Sequence, residues 1–206
     1  MQQHKIRKNQ EKKELLTALI RDRSENLFST GQLMCSEAVL SVLNQSLNGG
    51  LPPEMAIRLA SGLSEGIGRS GCTCGALSGG VMALGLFLGR ETPGLLNGKS
   101  IRSISKGLHD GFKNRFGATC CRILIRNVKR GSTEHFNLCA THTGWAASMA
   151  AQFILEKRQE LISQADWPYL KKTDSVIRAR WNRISGTFLG NSIFKDYPDR
   201  GGHDFF

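Results

Sequence analysis

The sequence has no apolar segment long enough to cross a membrane. Its longest apolar run, from Val81 to Leu88, is interrupted by Gly85 and is much shorter than the roughly 18–20 residues that a membrane helix needs. The first residues, MQQHKIRKNQEKK, also lack the apolar core of a secretory signal. We therefore expect no membrane insertion and a cytoplasmic location for the protein.

Short motifs for haem attachment and for hydrolysis are missing as well. The sequence contains no C-x-x-C-H motif, and its 17 acidic residues form no paired-carboxylate or serine–histidine–acid arrangement. The stretch from Gly66 to Gly71 formally matches the dinucleotide fingerprint G-x-G-x-x-G. That fingerprint must follow a β-strand, whereas residues 56–65 have a helical pattern. Neither hydrolysis nor nucleotide binding is predicted.

The pattern of apolar residues indicates an all-α fold, because no alternation of strands and helices and no internal repeat is visible. It predicts a single bundle of about seven helices. The predicted helices cover residues 11–28, 35–47, 53–63, 74–88, 101–116, 119–128 and 139–161.

The end of the chain differs from the rest in composition. Trp167, Tyr169, Trp181 and the closing residues YPDRGGHDFF suggest a segment that packs through aromatic side chains. We therefore predict a four-cysteine domain over residues 1–160 and a C-terminal extension over residues 161–206.

The six cysteines carry the strongest chemical signal. In a reducing compartment, cysteines more often act as metal ligands, reactive groups or buried thiols than as structural disulfides. Each lies at or near the start of a predicted helix, where the helix dipole should stabilise a thiolate and lower its pKa. Spacing alone leaves two alternatives open, namely a shared cysteine site and separate thiols in the core.

Three segments in order resemble one known family. They are Cys35-Ser36-Glu37-Ala38-Val39-Leu40, Gly66-Ile67-Gly68-Arg69 and Thr73-Cys74-Gly75-Ala76-Leu77-Ser78-Gly79, followed by Cys121-Arg122 and Cys139. Together they are similar to the redox-active proteins named for a four-cysteine signature, C…CGAxxG…C…C. The resemblance covers roughly residues 14–160. A related domain in split-Soret cytochromes c holds an iron–sulfur centre beside c-type haems.

The resemblance implies that Cys35, Cys74, Cys121 and Cys139 are ligands of an iron–sulfur cluster, either 2Fe-2S or 4Fe-4S. Covalent haem is not implied, because the haem motif is missing. The chain also carries Cys72 and Cys120 beside two signature positions. These two cysteines are either additional ligands, a thiol relay or incidental small residues.

Further residues are predicted to contact the cofactor or to modify it. Gly75 and Gly79 would let helices close around the cluster, and Arg122 would stabilise its reduced state. His135 and His142 lie near Cys139 and are read either as core or surface histidines or, for His142, as a ligand or hydrogen-bond donor.

The preferred function is an iron–sulfur electron carrier or an accessory to an oxidoreductase, rather than an enzyme with its own substrate. A metal-free thiol/disulfide protein is the alternative. The formal charge of +11 favours an acidic redox partner protein, while nucleic-acid binding through the basic stretches is less favoured and solvated helix faces are the simplest explanation. The resemblance also suggests a homodimer.

Overall fold

A computed structural model describes residues 2–93 and 99–175, and over these residues the fold is all-α, as predicted. The long helices are α1 (Gln2–Ser29), α2 (Cys35–Ser46), α5 (Gly75–Leu88), α6 (Lys99–Phe116) and α8 (Thr133–Lys157). The short ones are α3 (Pro53–Ser61), α4 (Ser64–Ile67), α7 (Cys121–Leu124), α9 (Leu161–Gln164) and α10 (Trp167–Leu170). No described helix has the length and apolar character needed to span a membrane.

Each of the seven predicted helices is found, with α4, α9 and α10 added as single turns. Several boundaries were predicted wrongly. Helix α1 begins at Gln2 rather than at residue 11. Helix α8 begins at Thr133 rather than Cys139, because Ser132 caps it by accepting a hydrogen bond from the His135 amide at 3.2 Å. The predicted helix over residues 119–128 is reduced to the single turn of α7.

The core is formed where α2 and α5 pack against each other and α5 packs against α8, while α1 runs along α8. Leu16 and Ile20 of α1 are fully buried in this core, together with Ile154 of α8. Helix α6 covers α5 and contributes Leu108 and Phe112. The apolar faces of these helices therefore enclose one core, which fixes the positions of the segments that carry the cysteines.

The C-terminal segment adds to the same core. Tyr169 is buried, and Trp167 packs against the core from its edge. Arg23 of α1 holds this segment by donating to Asp174 at 2.7 Å, and its guanidinium lies 5.1 Å from the centre of the Tyr169 ring. Trp181 and the last ten residues lie outside the described part of the chain.

Gly79 permits the close contact between α5 and α2. A Cβ atom at this position would lie 2.6 Å from the carbonyl oxygen of Ser36 and 3.0 Å from its Cα. Both atoms are backbone, so the clash is relieved only if the helices separate. Gly85 on the same helix has open space at its Cβ position.

We expect Gly79→Ala to lower the free energy of unfolding by about 2–3 kcal/mol, because it forces α5 away from α2. Gly85→Ala is the matched control and should raise it by up to about 1 kcal/mol through higher helix propensity. Urea unfolding followed by circular dichroism measures both. Equal effects of the two substitutions would contradict the packing role of Gly79.

Candidate functional site

The four signature cysteines come together around one cavity of about 460 Å³. Cys35 is the first residue of α2, Cys74 directly precedes α5, and Cys121 is the first residue of α7. Cys139 lies in the second turn of α8. The sequence had suggested that it lies at the start of that helix. Cys74 and Cys121 are buried, while Cys35 and Cys139 are partly exposed.

A short backbone bridge holds two of these cysteines side by side. Thr73 and Cys120 pair in an antiparallel β-bridge. The Cys74 amide donates to the carbonyl of Thr119 at 2.8 Å, and the Cys121 amide donates to the carbonyl of Cys72 at 2.6 Å. The loop before α5 is thereby tied to the loop before α7, although the two are almost fifty residues apart in sequence.

The glycine-rich loop between α3 and α5 forms a left-handed turn. Five consecutive residues, 65–69, have positive φ angles, and Glu65, Ile67 and Arg69 among them are not glycine. Left-handed backbone costs a non-glycine residue about 1–2 kcal/mol. Such strain persists only where the surrounding structure requires it, and it is concentrated at functional sites.

The left-handed turn brings a hydrogen-bond donor to Cys35. The backbone N–H of Glu65 donates to the Cys35 sulfur, and the hydroxyl of Ser64 lies beside it. Ser64 is buried, and its Oγ lies 2.6 Å from Oγ of Ser36, whose own hydroxyl donates to the carbonyl of Ala60. Because the Ser36 proton goes to the Ala60 carbonyl, Ser64 is the donor in its contact with Ser36, and its single proton is not available to Cys35.

Two glycines, Gly75 and Gly66, let the backbone approach the cysteines closely. A Cβ atom on Gly75 would lie 2.5 Å from the sulfur of Cys35, so the thiol occupies the space of the missing side chain. Gly66 has a φ of 74°, and a Cβ there would lie 2.8 Å from Cβ of Cys121. Gly75 therefore lines the cavity, whereas Gly79 lies at the α2–α5 contact away from it.

The thiols differ from expectation in their acidity. Burial raises the pKa of Cys35, of Cys74 and of Cys121, and it raises the pKa of Cys139 to about 12. The neighbouring Cys35 thiol adds to the rise in the pKa of the other three. The sequence predicted lowered values from the helix dipole, but loss of solvation outweighs that effect here. The four groups are therefore neutral thiols at neutral pH.

Three other predicted residues lie outside the cavity lining. The guanidinium of Arg122 donates to the carbonyl of Ser70 at 3.2 Å on the exposed side of α7. Cys72 is exposed, and the Cys120 thiol donates to the carbonyl of Gly71 at 3.0 Å. Cys121, which lies between Cys120 and Arg122 in the chain, lines the cavity instead.

Two histidines of α8 do line the cavity, one turn on either side of Cys139. His135 accepts the Gly131 amide on Nδ1 at 3.1 Å. His142 is buried against Phe112 and Phe116, with 4.5 Å between the centres of its ring and that of Phe116. Burial lowers the pKa of His135 and lowers the pKa of His142 to about 4, so both are neutral at neutral pH.

Charged residues from two loops close the rim of the cavity. Glu65 accepts from Arg130 at 2.9 Å and pairs with Arg69 at 3.3 Å. Sequence reasoning did not identify Glu65, Ser64 or Arg130. The glycines around Glu65 were the available signal for the first two, because they marked a loop of unusual backbone, whereas nothing near Arg130 indicated its contact.

Comparison with known protein families points to the same four cysteines. The model of the family described as "Putative redox-active protein (C_GCAxxG_C_C)" matches residues 33–153, which is more than half of the chain. The chain belongs to this family. Comparison with curated proteins and with solved structures gives no match. The four-cysteine family is redox-active by description, and all four signature cysteines of this member lie within the matched residues.

The cysteine site can be compared with the needs of a single metal ion and with those of a cluster of several iron atoms. In the described part of the chain, no three histidine, cysteine or acidic side chains are arranged to hold a metal ion. A single tetrahedral ion requires sulfur atoms within about 4 Å of one another. A cluster of several iron atoms spans a wider space, and four thiols around a cavity of about 460 Å³ offer the ligands that such clusters use. The donor set fits a cluster better than a single ion.

Burial of His142 predicts a loss of stability in acid. Its pKa falls from 6.5 in the unfolded chain to about 4 in the folded protein, so the unfolded state binds a proton first as the pH drops. The stabilising effect is therefore complete above pH 6.5 and is lost as the pH falls through 4. The free energy of unfolding should decrease by about 3 kcal/mol over this range.

Urea unfolding at several pH values tests this expectation, with His142→Phe as the comparison. Phenylalanine retains the ring packing against Phe112 and Phe116 and cannot be protonated. The variant should lose less stability than the wild-type protein between pH 6.5 and 4. Parallel curves for the two proteins would show that His142 does not titrate with the lowered pKa.

Proposed function

We propose that this member of the four-cysteine family binds an iron–sulfur cluster and serves as an electron carrier or as an accessory to an oxidoreductase. The observation that carries the proposal is that four thiols from four separate helices line one cavity. Iron–sulfur clusters take such thiolate sets from distant parts of a chain. The redox description of the family supports the same chemistry.

In this proposal Cys35, Cys74, Cys121 and Cys139 hold the cluster, which would supply one-electron transfer. Binding must release the thiol protons, because ligating sulfur is deprotonated. The chain offers donors that favour the charged sulfurs. Cys74 has the backbone N–H groups of Ala76 and Leu77 at the start of α5, and Cys35 has those of Glu65 and Ser36. Hydrogen bonds to ligand sulfurs raise the reduction potential of a cluster.

The raised pKa values argue against the thiol/disulfide alternative. Thiol–disulfide exchange begins with attack by a thiolate, and burial keeps the pKa of Cys139 at about 12. Reactive cysteines usually lie in exposed, positively charged surroundings that lower the pKa. Cys72 is the exposed cysteine of the chain, and it stands outside the cavity.

An acidic redox partner is the second part of the proposal. Arg122, Arg126, Lys129 and Arg130 are all exposed on α7 and the following loop, in a stretch without acidic residues. This loop forms one side of the cavity mouth. Positive charge beside a redox centre speeds the approach of an acidic partner. The homodimer remains a prediction from the family resemblance, which sedimentation would test.

The first experiment is the iron and acid-labile sulfide content of protein purified without oxygen, with its visible spectrum. We expect matching amounts of iron and sulfide, and the amount decides between the 2Fe-2S and 4Fe-4S forms. Cys74→Ser should remove most of the cluster absorbance because it deletes a buried ligand. Cys72→Ser, outside the cavity, is the matched control and should leave the spectrum unchanged.

Three results would overturn the proposal. An unchanged spectrum in Cys74→Ser would exclude this ligand set. Zinc in place of iron would indicate a structural site. Protein without metal, whose thiols are oxidised and reduced reversibly, would establish the thiol/disulfide alternative.

A further inference from the structure

The cavity has an inner and an outer part with different chemistry. The inner wall is buried and contains Cys74, Cys121, Ser64 and Gly75. The outer wall is built by Phe28 at the end of α1, Leu33 and Met34 before α2, and Phe136 on α8. Met34 is 45% exposed and Phe136 is 51% exposed. The outer part is therefore an apolar vestibule between the thiols and solvent.

The aromatic side chains of this vestibule are only partly covered by protein. The rings of Phe28 and Phe136 are tilted by 45° with their centres 6.4 Å apart. This separation lies within the range for aromatic pairs, and one face of Phe136 still contacts water. Large apolar side chains grouped around an opening are typical of a binding surface rather than of an ordinary protein exterior. A flat, apolar molecule would cover them.

The rim adds positive charge and a hydrogen-bond donor. Glu65 is the shared partner of Arg69 and Arg130, so its single negative charge faces two guanidinium groups. His135 accepts the Gly131 amide on Nδ1. The proton of the neutral ring therefore lies on Nε2, where it is a donor.

The other acidic residue that lines the cavity, Glu37, already accepts a hydrogen bond on each carboxylate oxygen. Glu37 accepts the Met34 amide at 2.9 Å and the Ser61 hydroxyl at 2.7 Å. Its carboxylate lies in the first turn of α2, where the helix dipole offsets its charge. The exposed Arg126 and Lys129 lie next to Arg130 along the chain and are not balanced by acidic neighbours in sequence. The charge at the mouth therefore favours an anion.

The size of the cavity is suited to a small molecule. The inner and outer parts together have a volume of about 460 Å³, which lies within the range of about 300–1,000 Å³ that is typical of small-molecule sites. Such sites have mainly apolar walls and a few placed polar groups, as this vestibule does. Ligation of a metal group would use the four thiols, of which Cys74 and Cys121 are buried and Cys35 and Cys139 are partly exposed.

We propose that the vestibule formed by Phe28, Leu33, Met34 and Phe136 binds a small aromatic molecule that carries one acidic group. The ring lies against the phenylalanines, and the acid group lies at Arg130. The bound molecule is then placed between the cysteines and solvent. This site does not depend on whether the inner wall holds a cluster.

Isothermal titration calorimetry of the full chain with naphthoate tests the proposal, with neutral naphthylmethanol as the comparison. We expect naphthoate to bind with one molecule per chain and more tightly than naphthylmethanol. Phe136→Asp should weaken naphthoate binding at least about tenfold, because it removes a ring contact and adds repulsion. Leu15→Asp is the matched control: Leu15 is 53% exposed and lies outside the cavity lining, so binding should be unchanged.

A second pair of variants tests the acid group. Arg130→Gln should weaken naphthoate binding about fivefold or more and leave naphthylmethanol unchanged, since it removes charge alone. Arg126→Gln removes an exposed charge that does not line the cavity and should have a smaller effect. Equal effects of the two arginine variants, or equal affinities for the two probes, would overturn the assignment of an acidic ligand.

The titration is run both on the protein as purified and after removal of any bound iron. Binding in both forms supports a vestibule separate from the inner wall. Displacement of naphthoate on iron loading overturns it, as does unchanged binding in Phe136→Asp or no binding at all. Protein that contains no iron but binds naphthoate would refute the proposed cluster and still support the ligand site in the vestibule. Failure of one proposal can therefore be distinguished from failure of the other.

Discussion

Burial of several thiols in one place is the constraint on which the rest of the structure depends. The starts of three helices and the second turn of α8 must come together closely enough to share a cavity, and glycines at two contacts leave room for this. Gly75 supplies the space for the Cys35 sulfur, and Gly66 allows the left-handed turn to lie against Cys121. The same burial makes the thiols weak acids. The protein thus holds its cysteines as neutral groups until something replaces their protons.

The left-handed turn over residues 65–69 has a cost that the surroundings must offset. Three of its residues are not glycine, which amounts to several kcal/mol at about 1–2 kcal/mol each. In return the turn directs the Glu65 amide to the Cys35 sulfur and its carboxylate to Arg130. One strained segment therefore links the inner thiols to the outer rim. An ordinary helical continuation of α3 would not supply the amide contact to Cys35, because its amides would be used within the helix.

The sequence could predict the helices and the identity of the cysteines, but not their chemical state. Apolar periodicity located α1, α2, α5 and α6, because each buries one continuous stripe. It misplaced the start of α8, since the capping Ser132 precedes an ordinary polar turn. It also predicted acidic thiols from helix dipoles, whereas solvation depends on long-range packing that local sequence does not contain. The ion pair of Glu65 with Arg130 likewise could not be predicted from local sequence, because the two residues are sixty-five positions apart.

The two parts of the cavity differ in how they relate to the family. The signature cysteines, Ser64 and Gly75 all lie within the matched residues 33–153, so the inner wall is built from the segment that defines the family. Phe28 lies before that segment, on α1, and α1 is held from the other side by Asp174 beyond it. Leu33, Met34 and Phe136 of the outer wall also lie within the match, so Phe28 is the one of these four residues that comes from outside it. Helix α1, held in place by Asp174, therefore completes the entrance to a cavity that the matched segment otherwise builds.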